Sequence, residues 1–112
     1  MTVTVNTSGS QTATIGTEHT LATITTAGIY QLYVDIAALV AGDLVELRTY
    51  GKARPTDTER LLYGPFTLGP IVPGQLLIPS PAIISPHSCR FSLKQTAGTG
   101  RAFPWAVYST GA

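Results

Sequence analysis

The sequence predicts an all-β protein, an antiparallel β-sandwich or jelly-roll-like barrel of about eight strands with almost no helix. Three observations lead there. Apolar and polar residues alternate with period two in several segments, which lays one face of each strand against a core. Clusters of Gly, Pro, Asn and Asp punctuate those segments. No stretch sustains helical periodicity over the roughly 12 residues that an independent helix needs.

Thr and Val alternate from Thr2 to Val5 as in a strand, and Asn6 to Ser10 are expected to end it. Thr12 to Thr26 is Thr-rich with Ile15, Leu21 and Ile24 interspersed, which suits one or two strands on a partly wet sheet. Ala27-Gly28 marks a turn. In the next strand Tyr30, Leu32, Val34 and Ile36 share one face and Gln31, Tyr33 and Asp35 the other. From Asp35 to Asp43 a helical turn competes, with Asp35 as N-cap of Ala37 to Val40 and Gly42 closing it, but the segment is too short for an independent helix and reads as a one-turn connector between strands. Leu44 to Gly51 resumes the alternation, Val45 and Leu47 inward and Glu46 and Arg48 outward. Lys52 to Glu59 reads as an exposed loop before a strand over Arg60 to Leu68.

Six of the eight prolines lie between Pro65 and Pro86. Such density forbids a central strand and predicts an extended, polyproline-like segment over 70–86, with Leu76 to Ile78 and Ala82 to Ile84 as short edge strands. Cys89, Phe91 and Leu93 then alternate with Arg90, Ser92 and Lys94, and Phe103, Trp105 and Val107 point one way from the last strand. Pro104 has no N–H, so that strand has a free side. Gly98 and Gly100 bracket Thr99, which predicts a tight hairpin turn at positions where positive φ costs little. The expected core is Tyr30, Leu32, Val34, Ile36, Val45, Leu47, Leu62, Phe91, Leu93, Phe103, Trp105 and Val107.

The 112 residues make one domain, 1–112, with no internal repeat. Hydrophobic residues are 44% and charged residues 12%, about half the usual charged share, so part of the surface is uncharged: either an ordinary Thr- and Ser-covered β surface or one that packs against other subunits. Seven basic and six acidic side chains are scattered without a basic run, which argues against a nucleic-acid partner. No apolar run approaches the ~20 residues of a membrane span, and the N-terminal MTVTVNTSGS has neither part of a secretory signal. The single Cys89 excludes an internal disulfide and fits a buried small hydrophobe.

No constellation points to catalysis. His87 lies near Cys89, but no third group orients its imidazole, and His19 is remote in sequence. Two histidines and one cysteine do not make a metal set. Asp57 and Glu59 read as solvated loop charges rather than calcium ligands. Gly98-Thr99-Gly100-Arg101 lacks the Lys and Ser/Thr of a phosphate loop. Neither an enzyme nor a cofactor is expected. Tyr33 shares a face with Gln31 and Asp35, where an exposed tyrosine serves interfaces or glycan stacking.

Three passages together resemble a family of short virion proteins of tailed bacteriophages: Thr20 to Lys52, Arg60 to Pro70 (RLLYGPFTLGP) and Phe91 to Ser109 (FSLKQTAGTGRAFPWAVYS). The third is the most specific. The resemblance implies a virion part made in the host cytoplasm, foremost a capsid decoration protein on the capsid exterior that binds the major capsid protein and stabilises the shell. A tail, head-spike or fibre module that binds a host surface glycan is the alternative. The candidate contacts are the charged loop, through Lys52, Arg54, Asp57 and Glu59, and the Pro-rich run, through Ile71, Val72, Leu76 and Leu77. Low charge density and the extended run also predict a homo-oligomer, a trimer ahead of a dimer.

Overall fold

The structure, a computed structural model, describes residues 2–69 and 77–111. Among these, nine strands make two antiparallel sheets and no helix is present: β1 Thr2–Thr12, β2 Glu18–Ile24, β3 Gly28–Asp35, β4 Leu44–Gly51, β5 Arg60–Leu68, β6 Leu77–Pro79, β7 Ile83–Ser85, β8 Cys89–Ala97 and β9 Ala102–Gly111. Sheet I runs β1-β9-β3, with β6 and β7 end to end along the outer side of β3, and sheet II runs β2-β8-β4-β5. The protein is a β-sandwich, as the alternating segments require.

The core lies between the sheets. Leu32, Val34, Phe103 and Val107 enter from sheet I and Val45, Leu47, Phe91 and Leu93 from sheet II, each at most 4% exposed. Tyr30, Ile36 and Cys89 are buried beside them. Two members of the expected core differ. Trp105 is only partly buried and packs against the core from its margin, beside Gly9. Leu62 is 49% exposed: it lies on the edge strand β5 at a register shift between Tyr63 and Leu61, where it has no partner on β4.

Other expectations are corrected. Asn6 does not end the first strand; β1 runs on to Thr12 through a bulge between Val5 and Thr7. A bulge absorbs one residue and lets pairing resume, so the break is local. The 36–43 segment is the short turn connector expected, with Asp35 capping its start, but it holds two turns rather than one. Asp35 Oδ1 accepts from the Ala37 N–H at 2.8 Å, and two turns close through Leu39 N–H to the Ile36 carbonyl and Asp43 N–H to the Val40 carbonyl. The Pro-rich run, where it is described, does form the two short edge strands expected, shifted by one residue, and both pair with β3. Ser80, between Pro79 and Pro81, donates its N–H to the Leu32 carbonyl at 2.7 Å and accepts the Leu32 N–H on Oγ at 3.0 Å. β6, Ser80 and β7 thus act as one interrupted edge strand. The interruption suits prolines, which supply no N–H to a ladder.

The glycine turn is also not a hairpin. β8 belongs to sheet II and β9 to sheet I, so residues 98–101 cross between sheets, as do 13–17 and 36–43. Only Gly98 takes positive φ, at 90°, and a side chain there would run into the Asp43 carboxylate. Two fully buried polar residues fasten the crossing. Asp43 accepts from the N–H groups of Val40 (3.0 Å) and Thr99 (3.2 Å) and from Arg101 Nε (2.8 Å). Gln95 donates to the Thr99 carbonyl at 2.7 Å and accepts from the Arg101 N–H at 3.0 Å. The third crossing joins through Ala13 N–H to the Arg101 carbonyl and Gly16 N–H to the Gln95 carbonyl, both 2.8 Å. Buried polar groups this completely satisfied specify one arrangement. The most specific stretch of the sequence therefore serves the fold.

Candidate interaction surfaces

Three surfaces stand out, and their chemistry differs because their strands sit differently in the sandwich.

The outer face of sheet II is charged and largely paired with itself. Glu18 on β2 accepts from Tyr50 Oη (2.7 Å) and Ser92 Oγ (2.5 Å). Arg90 on β8 binds the Glu59 carboxylate at 2.9 and 3.0 Å, donates to Thr20 Oγ1 at 3.0 Å and lies 4.0 Å over the Tyr50 ring. Arg48 pairs with Glu46 at 2.9 Å. Burial by itself would raise the Glu18 pKa, but the Ser92 and Tyr50 hydrogen bonds and the Arg48 and Arg90 charges hold it below its ordinary value. These strands bring opposite charges side by side, which is how a sheet keeps one face in water.

The second surface is the edge of sheet II. Every residue of β5 from Arg60 to Thr67 is exposed, among them Leu61 (47%), Leu62 (49%), Tyr63 (39%) and Phe66 (40%). Tyr63 and Phe66 pair with the inward-facing Thr49 and Leu47, so they lie on the core side of the sheet yet stay open. The opposite margin of sheet I is made of two three-residue strands, and a cleft of about 260 Å³ separates β7 from the start of β5. Tyr63 and Phe66 stack with centroids 6.5 Å apart. Between them Gly64 (φ 109°) and Pro65 form a bulge opposite Arg48, and a side chain at Gly64 would strike the Leu47 carbonyl. A bulge and a proline block continuous strand addition, which leaves apolar side chains as the means of contact.

The third surface is the outer face of sheet I. A groove of about 560 Å³ runs along it, lined by Ile29, Tyr33, Asp35, Leu77, Pro104 and Tyr108 among others. Tyr33 and Tyr108 meet edge to face at 5.2 Å.

The residues expected as contacts divide. Arg54 and Asp57 bind each other within the loop, Nε to both carboxylate oxygens at 3.1 Å, and Glu59 is held by Arg90. Lys52 enters no ion pair among the described residues and lines a shallow pocket with His87. Three of the four loop charges thus already have partners. Leu77 is 55% exposed on β6, across from Asp35 on the outer face of sheet I. Ile71, Val72 and Leu76 lie outside the described residues. The sequence reading missed Leu61, Tyr63 and Phe66 as surface groups. The signal was there, since Leu61, Leu62 and Tyr63 are consecutive and a half-buried strand would alternate.

The described residues hold no group of three or more His, Cys, Asp or Glu placed for a metal ion, and no helix long and apolar enough to cross a membrane. Cys89 is buried, and burial raises its thiol pKa. His19 works in a turn, accepting the Thr14 N–H on Nε2 at 3.0 Å. Comparison with protein-family models, curated proteins and solved structures gave no match to this chain.

Proposed function

We propose that this chain is a structural virion protein of a tailed phage, a capsid decoration protein that binds the outer surface of the shell through the β5 edge and strengthens it. The observation that carries the docking role is β5 itself: nine residues with four large apolar side chains turned to solvent on a strand fixed to a rigid sandwich. The virion setting rests on the resemblance of the three passages, the second of which is this strand. Decoration asks for a stable body with apolar contacts held ready, because a preordered surface loses little entropy when it docks. Repetition over a symmetric lattice multiplies weak single contacts by avidity, and ligation of the assembled shell alone shifts the balance toward assembly. The 52–59 loop adjoins β5 and places Lys52 and the Arg54–Asp57 pair at the rim, where charges tune association rate and salt dependence.

The test adds purified protein to particles that lack it. Saturable binding at lattice stoichiometry and greater resistance to heat are expected, with Phe66→Lys and Leu61→Lys each weakening binding at least about tenfold, the loss of one buried apolar contact of 1.4 kcal/mol or more. Particles equally stable with and without the protein would overturn this reading and put a spike or fibre role ahead.

A further inference from the structure

The strand register assembles something on sheet I that no single strand shows. Directly opposed residues of an antiparallel pair share a face. Val3 opposes Thr110, Thr110 opposes Ile29, and Ile29 opposes Ile84, a row that crosses the whole sheet. The next row is Val5, Tyr108 and Gln31, and the one after is Ala106, Tyr33 and Pro79. The last opposes Asp35 to Leu77. This is the outer face, since Tyr30, Leu32 and Val34 between these positions are buried. Val3 is 63% exposed, Val5 53%, Ile29 41%, Leu77 55% and Ile84 79%. Asp35 is the single charged residue in these four rows, and it stands at the last position of β3.

We propose that this face packs against the same face of a second copy of the chain, across a two-fold axis. Size is the first argument. Five aliphatic side chains this exposed present roughly 100 Å² apiece, and with the Tyr33 and Tyr108 rings, prolines 79 and 104 and alanines 82 and 106 the face reaches on the order of 800 Å². That is the share one partner contributes to a stable interface, and it exceeds the ~300–600 Å² that a monomer's largest patch usually covers.

Charge is the second argument. An isologous interface sets every group against its own copy or a neighbour's, so charge in the middle would repel. Here the middle rows are uncharged and Asp35 falls at the margin, where it keeps its water. Sheet faces with this composition stack about 10 Å apart in sandwiches. A carbohydrate fits less well. The polar side chains available to sugar hydroxyls are few, Gln31 already donates to the Ser80 carbonyl at 2.6 Å, and Asp35 Oδ1 is taken by the Ala37 N–H. A two-fold face also replaces the three-fold assembly expected from composition. The pairing does not depend on the capsid role, because the β5 edge lies on the other sheet and stays free.

Sedimentation velocity on the whole chain from about 1 to 100 µM tests this, since ordinary interfaces of this size fall within or below that range. A dimer is expected. Ile29→Lys and Ile84→Lys, both at solvent-facing positions, should weaken it at least about tenfold while the melting temperature measured on the dilute monomer is kept. Phe66→Lys on β5 should leave the dimer intact. A wild type that stays monomeric, which would leave the face to another protein or to a carbohydrate, overturns the proposal. So does a trimer, or a dimer that Phe66→Lys abolishes and Ile84→Lys does not.

Discussion

Sheet II turns Glu18, Tyr50 and Arg90 outward, with Glu59 of the adjoining loop bound to Arg90, where sheet I turns Val5, Ile29, Tyr33 and Ile84. Both faces rest on the same kind of antiparallel ladder and on one shared core, so strand geometry cannot explain the contrast. The difference lies in what each face has as its partner. On sheet II every carboxylate named lies within reach of a guanidinium or a hydroxyl, and most of the charge on that face is paired within it, Arg48 Nη1 being a buried group left without a partner. On sheet I the side chains have no such partners, and five aliphatic groups remain 41–79% exposed. A face that pairs most of its own charge is fit for water. One that leaves large apolar groups in ordered rows is fit for a protein surface.

Several perturbations sharpen this contrast. The largest effects belong to the core that the two faces share. Phe103→Ala from sheet I and Phe91→Ala from sheet II each remove a fully buried ring and should each cost about 3–5 kcal/mol in chemical denaturation. That would leave little of a typical domain's stability of about 5–15 kcal/mol. A small loss at only one of them would mean that its sheet is not truly packed against the other.

Next comes Arg90→Ala on the charged face. It takes from Glu59 its guanidinium partner, removes one of the two positive charges near Glu18 and the contact over Tyr50, frees Thr20, and should cost about 1–2 kcal/mol. The same substitution should make stability less sensitive to salt.

The acid response is narrower. Backbone N–H groups led by Val40, together with Arg101, hold the Asp43 pKa below 3.8, and Glu18 is held below 4.5. Both carboxylates are favoured in the folded state as anions. Their contribution is therefore complete above those ordinary values and fades as pH falls through the lower folded values. Melting temperature should be flat from pH 7 to about pH 5 and drop below about pH 4, and Asp43→Asn should flatten that drop at the expense of stability at neutral pH. Smallest of all, Ile84→Ser on the apolar face should change monomer stability by no more than about 0.5 kcal/mol, because the side chain is 79% exposed.

The fold was largely legible in the sequence. β3, β4 and β8 carry strict period-two patterns, and ten of the twelve residues expected inside are buried, Leu62 and Trp105 being the two that differ. What could not be read depends on pairing between distant strands. The Gly98–Gly100 turn has the chemistry of a hairpin, yet whether the strands flanking a turn pair or separate into two sheets is settled by their neighbours, here β4 and β3. Asp43 and Gln95 look like ordinary polar residues until three crossings meet around them. Leu62 misled because it falls on an edge strand at a shift of register, which alternation along the sequence does not show. The apolar face was hidden most deeply, since Val3, Ile29 and Ile84 become one row only when β1, β9, β3 and β7 are aligned. Tyr33, on the outward side of a patterned strand, was the one local hint.

Hydroxyl-radical footprinting of the tyrosines compares the two faces most directly. Tyr33 and Tyr108 report on sheet I, and Tyr50 on sheet II. Raising the protein from about 1 to 100 µM, across the range in which an interface of this size forms, should protect Tyr33 and Tyr108 from oxidation and leave Tyr50 unchanged. Protection of Tyr50 with Tyr33 and Tyr108 unaltered would contradict the account, because the charged face would then be the one that docks.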